Sequence, residues 1–495
     1  MTFEIVFVLL SLLGMVAALV ADKMRPGMIL FSVVVLFLCA GILTPKEMLE
    51  GFSNKGMITV ALLFLVSEGI RQSGTLGQVI KKLLPQGKTT VFKAQLRILP
   101  SVAFISAFLN NTPVVVIFAP IIKHWAKSVN LPATKFLIPL SYVTILGGIC
   151  TLIGTSTNLV VHGMILEAGF EGFSMFELGK VGIFIAIAGI IYIFLFSKRL
   201  LPDARPDTAV PDEEVEEGEK LHRVEAVLGA RFPGINKKLK DFNFQRHYGA
   251  EVKEIKTRNG QRFVSNLEDV VLHEGDTLVV MADDTFIPTW GESSVFVLLT
   301  NGNEPDTTGK KKRWFALLLL VLMIVGATVG ELPVTKEMFP DIKLDMFFFV
   351  SITTIIMAWT NLFPARKYTK YISWDILITI ACAFAISKAM VNSGVADSVA
   401  KFIIGLSDDY GPHVLLAMLF IITNLFTELI TNNAAAALAF PLALSIASQL
   451  GVSPTPFFVV ICMAASASFS TPIGYQTNLI VQGIGNYKFT DFVRI

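Results

Sequence analysis

Charged residues are scarce in this chain of 495 residues, because Asp, Glu, Lys and Arg make up only 16% of it while hydrophobic residues make up 53%. A soluble protein typically carries about a quarter charged residues. The charges are also unevenly spread, since 37 of the 80 lie between residues 201 and 313. Such a sparse background elsewhere indicates lipid as the solvent. The formal net charge of +2 says nothing about nucleic acid, but the sequence shows no basic face, so we expect no nucleic-acid partner.

Reactive and metal-binding patterns are missing as well. The sequence has no Gly-rich phosphate loop, no Cys/His cluster and no nucleophile triad, which argues against an enzyme, an ATP-driven pump and an organic cofactor. Its four cysteines lie in separate apolar runs and are typical of packing residues in helices. The first apolar run, residues 3–21, lacks a basic leader and a cleavage site, so we interpret it as a retained span.

What the chain has in abundance is long apolar runs. A run of about 20 residues crosses a bilayer as a helix. Such runs predict an all-α polytopic protein of the inner (plasma) membrane, with the lipid bilayer as its surroundings. They lie near residues 3–21, 27–43, 56–70, 135–152, 179–197, 314–332, 344–361, 373–391 and 456–470.

Two further apolar stretches are interrupted by polar residues. Residues 97–127 break at Asn110-Asn111-Thr112, and residues 413–449 break at Thr431-Asn432-Asn433. Each arm is then only about 13 to 18 residues, mostly short of a full span. We interpret both stretches as re-entrant helical hairpins, because non-helical backbone inside a membrane is tolerated only where protein or water covers it.

The interrupted stretches belong to an internal repeat. The segment TLIGTSTNLVVHG, which begins at Thr151, aligns with TPIGYQTNLIVQG, which begins at Thr471, and eight of the thirteen positions are identical. The offset is 320 residues, and at 321 residues Asn111 pairs with Asn432. Apolar helices rarely keep Gly, Thr and Asn in register by chance, so the pattern predicts two related membrane halves.

The charges around the two hairpins indicate that the halves are inverted. Acidic residues flank the second hairpin, whereas basic residues flank the first: Lys81, Lys82, Lys88, Lys93, Arg97, Lys123, Lys127 and Lys135. By the positive-inside rule, the first hairpin enters from the cytoplasm and the second from outside. The same rule places the N-terminus outside and the charged insert in the cytoplasm.

The repeat and the charge distribution together predict three regions. Residues 1–200 form a first membrane repeat with a broken helix at 135–168, and residues 313–495 form a second with a broken helix at 456–486. After the first motif a full span follows, whereas after the second the chain reaches Ile495 without one. Either this copy is truncated or its last span was lost.

The insert, about residues 201–312, has the pattern of a small α+β domain. It opens with an acidic linker at residues 212–219, which we expect to be solvated. Short apolar alternations near residues 252–256 and 276–281 predict strands, and Asn259-Gly260 predicts a hairpin turn.

The four polar breaks are the best candidates for a binding site. Breaking a helix frees carbonyls at one half-helix end, which suit Na⁺, and amides at the other, which suit an anion. Alternatively, the Asn and Thr side chains only join helices through hydrogen bonds. We expect substrate contacts from Asn110, Asn111, Thr112, Thr431, Asn432, Asn433, Thr157 and Thr477, and sodium contacts from Asn111, Gly154, Asn158, Asn432, Gly474 and Asn478.

Two acidic residues, Glu68 and Glu428, lie in apolar surroundings, and Glu428 precedes the second hairpin tip. Ionisable residues inside a membrane are candidates for function by default. Either side chain could attract a cation or relay protons. Equally, each could be a carboxylate that is paired within the helix bundle.

At these residues the sequence resembles the divalent-anion:sodium symporter family of the ion-transporter superfamily. That family carries a Ser-Asn-Thr motif at each hairpin tip and a Thr-Pro-Ile-Gly…Asn loop in each broken helix; Asn111, Thr112 and Asn432 match the tips, and residues 471–474 with Asn478 match the second loop. The sequence departs from the family pattern at Asn110 and Thr431, where the family has Ser, at Asn433, where it has Thr, and at Leu152, where it has Pro. The resemblance implies a homodimer that works as an elevator, with a transport domain moving against a scaffold.

The insert resembles a TrkA-C (RCK C-terminal) domain, a regulatory module of channels and transporters. The residues that carry this likeness lie at 232–239, 246–252 and 272–278. The resemblance implies a small-molecule regulator at about residues 221–287.

Together these patterns favour a sodium-coupled symporter for a divalent anion, with sulfate slightly ahead of a C4-dicarboxylate. The tips offer neutral donors and contain no Arg that would clamp a carboxylate. The first alternative is a cation/proton antiporter or arsenite-type permease of the same superfamily, in which Glu428 or Glu68 cycles protons. The second is a gated ion channel, which only the regulatory domain suggests.

Overall fold

The computed structural model describes most of the chain. It covers residues 3–21, 24–85, 87–203, 222–229, 232–257, 261–283, 295–300, 310–339, 341–405, 411–472 and 474–495, together with Phe286 and Trp290. The acidic linker at 212–219, the Asn259-Gly260 turn and Ile473 of the second loop lie outside the described residues.

All the secondary-structure elements that the structure describes in the first membrane half are helices. Two pairs, α6–α7 and α8–α9, correspond to the predicted hairpin and broken helix. The helices are α1 Phe3–Val20, α2 Pro26–Cys39, α3 Pro45–Glu50, α4 Lys55–Gln72, α5 Thr75–Leu83, α6 Val91–Ser106, α7 Asn111–Ser128, α8 Leu137–Gly148, α9 Ser156–Glu167 and α10 Gly179–Leu200.

The second half repeats much of this order. Its hairpin is α18–α19 and its broken helix is α20–α21. The helices are α12 Lys310–Gly330, α13 Pro333–Met338, α14 Met346–Trp359, α15 Tyr368–Tyr371, α16 Trp374–Asn392, α17 Val395–Gly405, α18 Pro412–Leu429, α19 Asn432–Leu450, α20 Thr455–Ser466, α21 Gln476–Gly485 and α22 Phe489–Arg494.

Seven helical segments in the described part of the chain are long and apolar enough to cross a membrane, which confirms the polytopic helical class. They include α18 and α19, with 18 and 19 residues. The arms of the second hairpin thus begin and end within one residue of the predicted bounds, 413–449, whereas α6 of the first hairpin begins at Val91 rather than at residue 97.

The repeat is visible in local backbone geometry. Gly74 ends α4 and Gly394 ends α16, with left-handed φ angles of 69° and 76°. Only glycine adopts this conformation without a steric cost, so the same residue recurs where each chain turns into a short following helix.

The two halves interlock through their broken helices. The outer segment of each broken helix packs on the other half: α21 lies against α7 and α8, and α9 lies against α19 and α20. Within each half the first hairpin arm packs on the first broken-helix segment, α6 on α8 and α18 on α20. This exchange brings both tips and both loops to one centre.

Small side chains allow that close packing. The first three turns of α19 contain five buried alanines, Ala434 to Ala437 and Ala439. Since lipid is as apolar as a helix surface, membrane helices associate through such close backbone approach rather than through hydrophobic burial.

The insert folds as an antiparallel sheet with short helices, as the sequence predicts for its α+β class. The strand order is β3-β2-β4-β1-β5, and aromatic side chains such as Phe232 and Tyr248 fill its core. Its elements are β1 His222–Leu228, α11 Phe244–Tyr248, β2 Glu251–Lys256, β3 Arg262–Phe263, β4 Thr277–Ala282 and β5 Phe296–Thr300.

This sheet contacts the two helices that carry a tip and a loop. Lys123 of α7 forms an ion pair with Glu225 of β1, at 3.1 Å between Nζ and Oε2. Gly483 of α21 lies against Thr277, where a Cβ atom would come within 2.5 Å of the Thr277 hydroxyl. The insert therefore lies on the side of the molecule where α7 and α21 end.

Candidate functional site

Each hairpin tip is the start of a helix. Asn110 caps α7 and Thr431 caps α19, and the Thr431 hydroxyl accepts a hydrogen bond from the Ala434 amide. The first amides of a helix have no partner within that helix. Both tips therefore direct N–H groups without a partner in the helix ladder, and the positive end of a helix dipole, towards the centre of the protein.

A matching polar bond fastens each tip. In the first half, the Asn111 side-chain nitrogen donates to Ser106 Oγ (2.8 Å) and to the Thr144 carbonyl (3.0 Å). In the second half, Thr427 Oγ1 lies 2.8 Å from Asn432 Oδ1 and 2.6 Å from the Ala465 carbonyl. The three pairs of residues, 106 and 427, 111 and 432, and 144 and 465, all differ by 321 positions.

The first loop is closed by an asparagine. Asn158 donates through Nδ2 to the carbonyls of Thr151 (2.9 Å) and Gly148 (3.4 Å), and the Gly154 amide donates to Thr151 Oγ1 (3.2 Å). The Asn158 Oδ1 atom is buried and has no hydrogen-bond partner among the described residues. An orphaned acceptor beside carbonyls is costly unless a cation or a donor reaches it.

The second loop has the same connections. Asn478 donates to the carbonyls of Ser468 (3.0 Å) and Thr471 (3.1 Å), and the Gly474 amide donates to Thr471 Oγ1 (3.1 Å). Its Oδ1 atom differs, because it accepts a hydrogen bond of 2.6 Å from Ser141 of α8. The two loops therefore have the same backbone hydrogen bonds, but their asparagine Oδ1 atoms differ: that of Asn478 is paired and that of Asn158 has no partner among the described residues.

Glycine is required where the first loop and the first tip meet. A Cβ atom on Gly154 would lie 2.5 Å from the Gly148 carbonyl oxygen, and one on Gly148 would lie 2.5 Å from the side-chain amide of Asn111. Neither distance leaves room for a side chain, so these glycines allow the loop to approach the tip.

Both tips and both loops meet at the Tyr475 hydroxyl. This group donates to the Asn111 side-chain oxygen at 2.6 Å and lies 3.1 Å from Thr155 Oγ1, the residue at the equivalent position of the first loop. Asn432 also contacts it. Asn111 and Asn432 are therefore partners of a single buried side chain.

The remaining contacts between a tip and the loop of the other half occur at equivalent positions in the two halves. Thr112 of the first tip lies 3.3 Å from Gln476 of the second loop. In the equivalent contact, Asn433 of the second tip accepts from Ser156 (3.3 Å) and Thr157 (3.2 Å) of the first loop. Each tip is thus bonded to the loop of the other half.

The structure brings the predicted site residues to this centre. Asn111, Thr157, Asn158, Thr477 and Asn478 are all buried there. The Thr477 hydroxyl lies 2.9 Å from the Ser141 hydroxyl.

Asn110 lies at the edge of the centre, where it lines a small cleft. Ser156 lines the same cleft from the start of α9. Side chains of α4 and α12 form the facing wall.

Sequence reasoning missed the residues that join the motifs. Ser106 and Thr427 are hydroxyl residues at equivalent positions, so the 321-residue offset could have revealed them. Tyr475 and Ser141 have no such signal, because the repeat places Thr155 opposite the tyrosine and an apolar residue opposite the serine.

The two intramembrane acids have different environments. Glu68 is paired within its own helix, since its carboxylate accepts from Arg71 at 2.7 and 2.8 Å and from Gln72 at 2.6 Å. Glu428 accepts only the Ser470 amide, at 3.1 Å, among the described residues, and its second oxygen is buried. The structure thus matches the paired alternative for Glu68 alone.

Helix breaks that face one another inside a polytopic helical fold are typical of a membrane transporter. Comparison with known proteins agrees. The citrate transporter family (CitMHS) matches residues 16–451 and again residues 342–494, so the chain belongs to this family. That result confirms the predicted resemblance to sodium-coupled anion transporters. It also confirms that the protein is a multi-pass membrane transporter and not an enzyme.

Several curated relatives are similar over nearly the whole chain. An uncharacterized transporter of Synechocystis is 30% identical over 94% of this chain and 89% of its own length. A putative sulfur deprivation response regulator of Chlamydomonas reinhardtii is 28% identical over 94% of each chain. A probable sodium/sulfate cotransporter of the same alga is 23% identical over 96% of this chain and 84% of its own length.

Proposed function

We propose that this protein is a sodium-coupled symporter that imports a small divalent anion across the inner membrane, with sulfate ahead of a C4-dicarboxylate. One observation carries the proposal: four helix breaks from two related halves converge on the Tyr475 hydroxyl. Paired broken helices in corresponding positions of two halves are the best pointer to a transporter site.

The tips are suited to an anion. The N-termini of α7 and α19 supply amides and positive dipole ends, and Asn110 and Asn433 add neutral side-chain donors beside them. A compact oxyanion such as sulfate needs several donors close together. A carboxylate clamp would need an Arg, and neither tip contains one.

The loops are suited to sodium. The C-terminal ends of α8 and α20 offer carbonyls, and each loop closes around an asparagine amide. Oxygen ligands at a half-helix C-terminus coordinate Na⁺ in transporters. In the first loop the unpartnered Asn158 Oδ1 is one such ligand, so we place one sodium site at each loop.

The relatives support the ion and the anion. One is described as a probable sodium/sulfate cotransporter, and another by a response to sulfur deprivation. The family description, citrate transporter, keeps carboxylates as the second candidate.

The other functional expectations are part of the same proposal. They are a homodimer, elevator motion of the tips and loops against a scaffold, and a cytoplasmic insert of TrkA-C type that binds a small-molecule regulator. The contacts of the insert with α7 and α21 support a regulatory role, because a change in the insert would reach elements of the site directly.

Uptake into proteoliposomes tests the proposal. Purified protein should accumulate radiolabelled sulfate under an inward sodium gradient, and replacing sodium by choline should abolish the uptake. Succinate and citrate are the competing substrates. Absence of sodium-dependent uptake for all three anions would contradict the symporter.

The alternative is a cation/proton antiporter or arsenite-type permease, which the unpaired oxygen of Glu428 favours. It predicts proton efflux driven by sodium when no anion is present. Observation of that efflux, without anion uptake, would replace the symporter by this alternative.

A further inference from the structure

The second half carries an acid that the first half lacks. Glu428 lies in the last turn of α18, and the equivalent position of the first half is Ala107. Glu428 Oε1 accepts the Ser470 amide at 3.1 Å, while Oε2 is buried without a hydrogen-bond partner. Within the described residues, no Lys, Arg or His lies within ion-pair distance of Glu428.

Further unpartnered oxygens lie on the segment beside it. Thr427 contacts the Ala465 carbonyl and Asn424 the Ala467 carbonyl at 2.7 Å, which fixes residues 465–470 along the last turns of α18. The hydroxyls of Ser466 and Ser468 in this segment are buried and have no partner in the described part of the chain.

The first half offers no counterpart to these hydroxyls. Gly148 occupies the position equivalent to Ser468, and apolar residues stand opposite Ser466. The Ser468 hydroxyl also lies inside the second loop, since a Cβ atom on Gly474 would come within 1.8 Å of it. The extra oxygens of the second half therefore lie beside and within its loop.

The charge at this position requires compensation. A carboxylate inside a membrane is expensive unless something pairs with it. The C-terminal end of α20 adds the negative end of a helix dipole, which raises the cost further. A proton would neutralise the carboxylate but would leave the hydroxyls unused, whereas a hard cation uses carboxylate, hydroxyl and carbonyl oxygens together.

We propose that Glu428, with the oxygens of residues 466–470, forms a sodium site specific to the second half. This site rests on the proposed function and deepens it, because it makes the second loop the stronger of two cation sites.

Sodium binding can be measured without transport. Purified full-length protein in detergent is titrated with NaCl against choline chloride, and the midpoint of thermal unfolding is followed. A cation that binds only the folded protein raises this midpoint with its concentration. We expect Glu428→Gln to require at least about tenfold more sodium for the same rise.

Glu68→Gln is the matched control, since Glu68 is an intramembrane acid that Arg71 already compensates. It should keep the wild-type sodium dependence within about twofold. In proteoliposomes, Glu428→Gln should likewise raise the half-saturating sodium concentration for sulfate uptake and lower its Hill coefficient.

The outcomes separate the site from the function. If wild-type protein shows no anion uptake but Glu428→Gln weakens the sodium-dependent stabilisation, the symporter fails and the site stands. If Glu428→Gln keeps the wild-type sodium dependence in both assays, the site is wrong. If Glu428→Gln removes a pH dependence of uptake but leaves the sodium dependence unchanged, Glu428 is a proton site and the sodium site is wrong.

Two further variants keep the test decisive if Glu428→Gln does not fold. Glu428→Asp keeps the charge on a side chain that is one methylene shorter. Ser468→Gly introduces the residue that the first half has at the equivalent position, Gly148. A weaker sodium dependence in either variant supports the site, and wild-type behaviour in both overturns it.

Discussion

The two membrane halves use the same backbone frame with different side chains. A serine or threonine holds each tip asparagine, and an asparagine closes each loop on two carbonyls. Against this shared frame, the first loop closes through Gly148, whereas the second carries Ser468 and a neighbouring carboxylate, Glu428. Helix breaks thus create the dipole ends in both halves, while a few substitutions decide how much charge each break can hold.

The halves also differ in what lies outside them. Lys123 of the first hairpin pairs with Glu225 of the insert, and its equivalent in the second hairpin is the apolar Leu444. An ion pair can therefore transmit a change in the insert to the first hairpin. In the part of the insert that the structure describes, Thr277 contacts the second half at Gly483 of α21.

The largest expected effect tests the equivalence of the tips. Asn111→Ala and Asn432→Ala should each abolish uptake while the protein remains folded, because both side chains hold the shared centre. Sulfate uptake and the thermal midpoint are the measurements. Ser101→Ala, on the exposed face of the same hairpin, is the control. Wild-type uptake in both tip variants would remove the tips from the site.

Exchange of loop residues sharpens the difference between the halves. Gly148→Ser should cost about 2 kcal/mol of stability and most of the transport, because its Cβ would collide with Asn111. The reverse exchange, Ser468→Gly, should fold normally. Equal stability of the two variants in thermal unfolding would show that the loops are interchangeable after all.

A smaller effect is expected at the bond that joins the halves. Tyr475→Phe keeps the ring but removes the hydroxyl that joins Asn111 to Thr155. Losing a buried partner costs about 1 to 3 kcal/mol, so uptake should fall by about tenfold. Tyr192→Phe on α10 is the control, since its hydroxyl is exposed. An unchanged rate for Tyr475→Phe would remove this hydroxyl from the mechanism.

The smallest effect concerns the insert. Lys123→Glu should break the pair with Glu225, cost about 2 kcal/mol and change the maximal uptake rate, while the half-saturating sodium concentration stays constant. Lys123→Arg, which keeps the positive charge, should retain the wild-type rate. A shift in sodium dependence instead would mean that the insert acts on the ion sites.

Much of this arrangement can be predicted from the sequence, because its origin is local. Asparagine and glycine inside apolar helices mark breaks, and the repeat pairs Asn111 with Asn432 before any coordinates exist. The start of the first hairpin could not be predicted, since α6 begins at Val91 and its first turns contain Lys93 and Gln95, outside the apolar pattern. Tyr475 could not be predicted either, because its contacts depend on how the two halves interlock rather than on any spacing along the chain.

The most direct test is a density map of the protein with sodium and sulfate bound. We expect anion density between Asn111–Thr112 and Asn432–Asn433 and cation density at both loops, with the cation of the second loop next to Glu428. Anion density elsewhere, or tips that are separated by an unbroken helix, would contradict this expectation.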